Sequence, residues 1–472
     1  MRVNSVSYPI PVVNNEINRF ANINAPSVSD VASAIDTPYS VNFGDSLYVN
    51  LSNQIYKISP DQSLTKITNI NSAGSAFGEL VAGPDGIYFV GSSADGTKKS
   101  LTRYSPTSGQ ITSLSKINSS GDKISKIVIF NNKVYFGALN ASGYNKLFKY
   151  DPISNLITQV SNTSGSATVS DGLLDTMVAT STNLYFGAVQ TSGFDKLVKM
   201  STSESITVLS DIATMTHNSI YPDYVSPDDN SYPHYVTLGN DHVRVAGFFN
   251  GELYFTAWHA YVTSITTYTL YNTQINTSNV TDGTASTLYK LKSDGTIVSV
   301  PTEAYPSWIR VIDTQFINNR MYLTVTSSLN DSYLTNGQEY LSNVFVVDSS
   351  GAIRHTAASV FNYPSKIFDG DIYYTQQTLM AQDSAGNQIL ATAAGAAGGK
   401  TLLKFNPNFE VAWAIDNSRP YEANKQAIPL GSVGNYFYFL SAASATTITT
   451  GTGSSTVYTE NLAQKIFRLE KK

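Results

Sequence analysis

The stretch KVYFGALNASGYNKLFKYDP, residues 133–152, and the stretch NLYFGAVQTSGFDKLVKMST, residues 183–202, are two versions of one unit. Each unit joins two short apolar and aromatic runs through a polar segment that contains glycine. Short runs of this kind, bounded by Asn, Gly, Asp or Pro, are typical of β-strands. The repetition therefore predicts a fold built from copies of a small β-unit.

Both runs recur along the whole chain in strict alternation. The first run has copies that begin LYVN at 47, IYFVG at 87, VYFGA at 134, LYFGA at 184, LYFTA at 253, MYLTV at 321, IYYTQ at 372 and YFYFL at 436. The second run has copies that begin IYKIS at 55, LTRYSP at 101, LFKYDP at 147, LVKMS at 197, LYKLKSDG at 288, VFVVDSSG at 344, LLKFNP at 402 and IFRLEK at 466. A leading strand such as KIVIFNN and a closing strand such as LITQVS complete each unit.

Four short strands repeated every 40 to 70 residues or so predict an all-β fold, a single β-propeller of about eight four-stranded blades. Seven blades result if the short first unit merges with the N-terminal arm, residues 1–38. The last unit stops after its third strand, so we expect residues 3–13 to supply the missing strand and close the ring. Alternatively, residues 1–38 form a separate arm, and the propeller itself covers 39–472.

Units such as LYFTA followed by STLYKLKSDGT resemble the LYFxA…ELWxxDGT repeats of bacterial and viral surface propellers. The resemblance covers residues 40–472. Most units have YDP, YSP or FNP in place of DGT. The resemblance implies a propeller fold rather than an activity.

The later units are longer than the first ones. One insertion, residues 210–242, lies between a fourth strand and the next first strand, and four others lie between second and third strands, at 259–286, 327–342, 376–400 and 441–464. In an up-and-down blade both kinds of connection emerge on the same face. Long loops on a rigid scaffold are where binding residues concentrate, so this face is the predicted recognition surface.

The candidate binding residues are aromatic, histidine and aspartate residues in the first two insertions, together with Trp258, which immediately precedes the second. They are His217, Tyr221, Asp223, Tyr224, Asp228, Asp229, Tyr232, His234, Trp258, His259 and Tyr261. Tyr and Pro in this region suit stacking on sugar rings or packing against a partner protein. His217, His234, His242 and the four aspartates 223, 228, 229 and 241 could also bind a metal, but their spacing matches no ligand motif, and turn chemistry explains them equally. We therefore predict no metal and no cofactor.

Composition excludes several classes of function. The net charge is −5 and no dense Lys/Arg run occurs, which argues against specific nucleic-acid binding. The absence of cysteine excludes disulfides and thiolate metal sites. The sequence contains neither a signal-peptide core nor an apolar segment long enough for membrane insertion. Ser-His-Asp hydrolase, phosphate-loop and HExxH motifs are also missing, so no catalytic residue is assigned.

These observations favour a non-enzymatic structural or recognition propeller, located in a virion as a surface or tail component of a phage or archaeal virus. Its expected partners are other virion or surface-assembly proteins and a host glycan or receptor. The alternatives are a glycan-active enzyme, with carboxylates from several blades in the ring centre, and a secreted lectin or adhesin located extracellularly or on the cell surface.

Overall fold

The computed structural model describes 24 stretches of the chain, and every regular element in them is a β-strand. They are residues 21–23, 39–51, 54–67, 76–92, 99–160, 170–171, 174–189, 195–209, 235–264, 269–270, 273–274, 280–300, 310–317, 319–326, 342–351, 353–360, 366–368, 371–378, 380–382, 388–390, 399–405, 411–413, 425–443 and 465–470. No helix in these stretches is long and apolar enough to cross a membrane.

Strand β1 (Ala21–Ile23) precedes six four-stranded sheets, in each of which neighbouring strands follow one another along the chain. Sheet 1 contains β2 (Tyr39–Phe43), β3 (Ser46–Leu51), β4 (Gln54–Ile58) and β5 (Leu64–Lys66). Sheet 2 contains β6 (Ala76–Gly83), β7 (Gly86–Ser92), β8 (Lys99–Ser105) and β9 (Gln110–Ser113). Sheet 3 contains β10 (Ile127–Phe130), β11 (Lys133–Leu139), β12 (Asn145–Asp151) and β13 (Leu156–Gln159).

Sheets 4 to 6 repeat the pattern. Sheet 4 contains β14 (Met177–Ala179), β15 (Asn183–Val189), β16 (Asp195–Ser201) and β17 (Ile206–Val208). Sheet 5 contains β18 (Tyr235–Phe249), β19 (Glu252–Ser264), β22 (Val280–Leu291) and β23 (Ile297–Ser299), with the small hairpin β20 (Thr269–Leu270) and β21 (Thr273–Gln274) between its second and third strands. Sheet 6 contains β24 (Arg310–Ile317), β25 (Arg320–Thr326), β26 (Ser342–Val347) and β27 (Ile353–Val360).

The remaining strands form sheet 7, which has eight strands in two antiparallel halves. One half contains β28 (Lys366–Phe368), β29 (Asp371–Thr378), β32 (Gly399–Phe405) and β33 (Val411–Trp413), with the hairpin β30 (Met380–Gln382) and β31 (Gln388–Leu390) between its second and third strands. The other half contains β34 (Lys425–Val433), β35 (Tyr436–Ala443), β36 (Lys465–Glu470) and β1. The halves join through one parallel pair, Lys400 with Gln426.

Successive four-stranded antiparallel sheets confirm the predicted all-β propeller fold. β1 pairs with β36, with Ala21 opposite Arg468 and Ile23 opposite Ile466, so an N-terminal strand does complete the last unit. The strand proposed for this role, residues 3–13, lies outside the described residues. The number of blades and the closure of a ring stay predictions.

The residues cluster into two compact units. One comprises Met1–Ser113, Ile312–Val325 and Ser332–Lys472, and the other comprises Leu114–Val311 and Thr326–Asp331. Sheets 3, 4 and 5 belong to the second unit.

The second strand of each four-stranded repeat forms the core, as the aromatic run predicted. Every residue of β3 and β7 is buried. The tyrosine of each aromatic run is buried as well: Tyr48, Tyr88, Tyr135, Tyr185, Tyr254, Tyr322, Tyr373 and Tyr438. Burial, with a smaller effect of the nearby Tyr104, raises the pKa of Tyr48 to about 12. The hydroxyl of Tyr48 therefore stays protonated at neutral pH. All eight tyrosines act as packing groups.

Apolar clusters connect neighbouring sheets inside each of the two compact units. Phe130 and Leu147 of sheet 3 pack with Leu184 and Phe186 of sheet 4. Tyr185 and Leu197 of sheet 4 pack in turn with Phe255 of sheet 5. Since both faces of the second strand are apolar, one sheet cannot bury its own surface, and stacking on neighbours supplies most of the stability.

Sheets 4 and 5 approach each other closely at Gly187. A Cβ atom at this position would lie 2.3 Å from the backbone oxygen of Val243, which is too close for any side chain. The backbone of β18 cannot move away without opening the apolar cluster that it shares with sheet 4.

We therefore expect Gly187→Ala to lower the free energy of unfolding by about 1–3 kcal/mol because sheet 5 must shift. Ala141→Gly, in an exposed turn of sheet 3, is the control for an exchange of the same size. Chemical denaturation of the two variants and the wild type measures the difference. Equal stability of Gly187→Ala and the wild type would contradict the close packing.

Candidate functional site

The two ends of the sheets differ in how the strands are connected. First and second strands are joined by tight turns, of two residues between β10 and β11 and between β18 and β19. In sheet 3 the two turn residues, Asn131 and Asn132, both have positive φ, as such hairpins require. At the opposite end the interval between β3 and β4 is also two residues, but the other intervals between second and third strands are longer, and 15 residues separate β19 from β22. We call these the turn end and the loop end.

Buried aspartates organise the loop end of sheet 3. Asp122, in the connection between sheets 2 and 3, is 1% exposed. Its carboxylate accepts hydrogen bonds from the backbone N–H groups of Ile117 and Asn118, both at 2.8 Å, and from the Ser115 hydroxyl. Its backbone oxygen accepts a bond from the N–H of Leu139 at the end of β11. The incoming connection is thereby fixed to the second-to-third-strand hairpin.

The outgoing connection is fixed to the other side of the same hairpin. Lys146, on β12, donates from Nζ to Oδ1 of Asp171 at 3.0 Å, and both side chains are fully buried. The N–H of Leu147 donates to Oδ2 of Asp171 at 3.2 Å. Both kinds of connection therefore lie at one end of sheet 3, in agreement with the argument from strand alternation.

At the turn end of sheets 3 and 4, both in the second compact unit, charged side chains form a network that joins the two sheets. Glu204, in the last turn of sheet 4, accepts hydrogen bonds from Lys149 and from the hydroxyl of Tyr135, the latter at 3.3 Å. Lys133 Nζ lies 3.6 Å from Glu204 and 3.8 Å from Asp151. Burial acts to raise the pKa of Glu204, but Lys149, Lys133 and Tyr135 together lower it below its ordinary value.

The same pairing of tyrosine with a cation recurs in other sheets. Among the strand registers that the structure describes, a tyrosine of the second strand lies directly opposite a Lys or Arg of the third strand in seven pairs: Tyr48–Lys57, Tyr88–Arg103, Tyr135–Lys149, Tyr185–Lys199, Tyr254–Lys290, Tyr373–Lys404 and Tyr438–Arg468. In sheet 5, Glu252 accepts from both Tyr254 and Lys290, and in sheet 2, Asp85 accepts from both Tyr88 and Arg103. The recurrence identifies these networks as part of the scaffold.

Sheet 5 departs from the other sheets at its loop end. Strand β19 continues to Ser264, ten positions past Tyr254, whereas β11 ends at Leu139, four positions past Tyr135. The flanking strands continue with it, so that Tyr235 pairs with Ser264 and Thr281 with Val262. At about 3.3 Å per residue, the additional six positions carry the sheet about 20 Å further. We call residues 235–242, 258–264 and 280–286 the sheet-5 extension.

The central strand of the extension has one β-bulge on each side. The register with β18 shifts between Gly239 and His242, which places two residues opposite His259. The register with β22 shifts between Ala260 and Val262, which places two residues opposite Tyr261. Bulges increase the local twist and change the direction of side chains, and they are frequent next to functional sites.

Three of the sequence-predicted binding residues lie in this extension. Trp258, His259 and Tyr261 are on β19, and Trp258 is opposite His242 of β18. Residues 217, 221, 223, 224, 228, 229, 232 and 234 lie outside the described residues. The predicted loop at 259–286 begins with strand residues 259–264 and ends with strand residues 280–286. Likewise, residues 235–242 of the 210–242 insertion are strand.

In the part of the chain that the structure describes, the histidines and aspartates considered as metal ligands form no cluster. Within that part, no group of three or more His, Asp or Glu residues could hold a metal ion. Of the candidates, Asp241 and His242 are on β18, and the remaining five lie outside the described ranges.

Sequence reasoning missed the charged contacts that hold the connections. Lys146 and Lys196 occupy the same position in the two quoted stretches, and that repetition was the available signal for a lysine with a fixed role. The partner Asp171 lies in a connection without repeat pattern. Glu204 belongs to a different sheet from Tyr135 and Lys149, and sequence spacing does not reveal such a contact.

No protein-family model and no curated protein matches the chain. Among solved structures, a prolyl endopeptidase is similar at 9% identity and a TM-score of 0.45, over 87% of this chain but 55% of that one. The BP39L lectin from Burkholderia pseudomallei is similar at 10% identity and a TM-score of 0.43, over 80% and 98% of the two chains. The β-propeller domain of the Trilobed protease from Pyrococcus furiosus is similar at 8% identity and a TM-score of 0.37, over 92% and 94%.

Glu204→Gln should lower the free energy of unfolding by about 1 kcal/mol at neutral pH, because Lys149 loses its counter-charge and Lys133 keeps only Asp151. The folded state lowers the pKa of Glu204 from its ordinary value of 4.5. Its stabilising effect is therefore complete above pH 4.5 and is lost as the pH falls through the folded pKa. Denaturation curves of variant and wild type should accordingly converge in acid.

Asp45→Asn, in an exposed turn of sheet 1, is the matched control and should change stability by less than Glu204→Gln at neutral pH. A difference between wild type and Glu204→Gln that stays constant down to strongly acidic pH would contradict the ionic role of Glu204.

Proposed function

We propose that this protein is a non-enzymatic recognition and structural propeller, located in a virion as a surface or tail component of a phage or archaeal virus. It binds a host surface or neighbouring virion proteins through the loop end of its sheets. The observation that carries the proposal is the sheet-5 extension, which continues a scaffold sheet beyond the length that the repeat requires.

The turn end is held by short turns and repeated ion pairs, which add nothing beyond stability. The extension adds three hydrogen-bonded strand segments that no other sheet in the described part has at this length. It contains Trp258 and Tyr261, and aromatic residues of this type are enriched at binding sites, where they bury large areas with little loss of conformational entropy.

Composition supports the virion assignment. Only 14% of the residues are charged, and Ser, Thr, Asn, Gly and 30 tyrosines take their place. A polar, weakly charged surface of this kind suits a protein exposed outside cells. A glycan-active enzyme and a secreted lectin or adhesin are the alternatives, and both would use the same surface for sugars.

The binding surface is tested by the triple variant Trp258→Ala/His259→Ala/Tyr261→Ala. We expect purified wild-type protein, labelled with a fluorophore, to bind host cells, and the variant to lose at least about tenfold in affinity because the aromatic anchors are removed. Ile153→Ala is the matched control, since Ile153 is 94% exposed in a turn at the opposite end of sheet 3. Equal binding by all three proteins would overturn the proposed surface.

The location is tested separately. Gold-labelled polyclonal antibodies raised against the folded, purified protein are applied to virus particles and to cells from the source. Label on particle surfaces or tails is the expected result. Label confined to cell surfaces would overturn the virion assignment, and hydrolysis of a polysaccharide by the purified protein would overturn the non-enzymatic one.

A further inference from the structure

Lys146 and Asp171 form an ion pair that is completely buried in the loop end of sheet 3. Both side chains are 0% exposed, and Nζ lies 3.0 Å from Oδ1. Lysine is almost never fully buried, and two charges transferred from water into a protein interior lose several kcal/mol of hydration each. Such burial favours any process that removes both charges.

We propose that Lys146 and Asp171 become joined by an amide bond between Nζ and the side-chain carboxyl carbon Cγ. In this step Nζ gives protons to Oδ1, its lone pair attacks Cγ, and the Cγ–Oδ1 bond breaks. The ammonium and the carboxylate together contain all the atoms of the product: one amide N–H remains on Nζ, and Oδ1 leaves as water with the other two protons. No oxidant, reductant or external co-reactant is required, and both charges disappear.

Groups around the pair suit this reaction. The N–H of Leu147 donates to Oδ2 at 3.2 Å, and Oδ2 is the oxygen that becomes negative when Nζ attacks Cγ. A backbone donor directed at a developing oxyanion is a recurrent means of stabilising acyl-transfer transition states. Removal of water from the site also favours amide formation over hydrolysis, since the released water leaves a buried environment.

The backbone holds the two reacting groups in place. The N–H of Asp171 donates to the backbone oxygen of Asn145 at 2.8 Å, and the N–H of Asn145 donates to the hydroxyl of Ser170 at 3.1 Å. The carboxyl group is thus fixed beside the residue that precedes Lys146. Reactants held in this way react as if at very high concentration, which compensates for the low reactivity of a carboxyl group.

The bond would connect residues 25 positions apart and tie the outgoing connection of sheet 3 to its loop-end hairpin. A cross-link of this kind restricts the unfolded chain in the way that a disulfide does. The sequence has no cysteine, so this chain forms no disulfide of its own.

Intact mass spectrometry of the denatured full-length protein tests the proposal. We expect a mass lower by one water molecule than the sequence requires. Tryptic digestion should yield the peptide 134–149, uncleaved at Lys146, joined to the peptide 150–196 that contains Asp171. The linear peptide 134–196 has the same mass, so N-terminal sequencing must find two N-termini in the product, Val134 and Tyr150. The full sequence mass, with the two peptides separate, would overturn the proposal and leave an ion pair.

Two lysine variants locate the bond. Lys146→Arg keeps the positive charge but lacks the amine, and it should restore the full mass. Lys149→Arg, three positions along the same strand, is the matched control and should keep the loss of water. Retention of the loss in Lys146→Arg would place the bond elsewhere and overturn the assignment. If Lys146→Arg does not fold, the peptide analysis of the wild type decides the question alone.

Discussion

The structure depends on the burial of a central strand on both of its faces. In each unit, the aromatic second strand is apolar on both sides, so its sheet is stable only between neighbours. This constraint explains why the chain repeats one pattern and why the tyrosines of the second strands are buried. It also explains Gly187, where two sheets approach so closely that no side chain fits.

The polar groups of the scaffold follow from the same stacking. Where strands turn back tightly, a tyrosine hydroxyl and a Lys or Arg from the neighbouring strand share a carboxylate, as around Glu204 and Glu252. Where the chain passes between sheets, Asp122 and Asp171 satisfy backbone and side-chain donors that packing has removed from water. Buried donors without such acceptors would cost about 1–3 kcal/mol each.

A scaffold fixed at one end leaves the other end able to vary. The sheet-5 extension illustrates this, because its strands continue past the buried part around Phe255, which pairs with Val245 on one side and Tyr289 on the other. The bulges opposite His259 and Tyr261 lie only beyond that part. A rigid base with a variable end is the usual arrangement in proteins whose loops recognise partners.

Sequence by itself determined the repeat, the strand order within each unit and the buried tyrosines, because strand periodicity and turn residues act locally. It also identified Trp258, His259 and Tyr261 as candidates, although it assigned them to a loop region where the structure continues a strand. Only the tertiary structure decided that Glu204 joins Lys149, that Asp171 joins Lys146, and that residues 21–23 complete the last sheet. These contacts join segments far apart in sequence, and their partners are set by how sheets stack rather than by any local pattern.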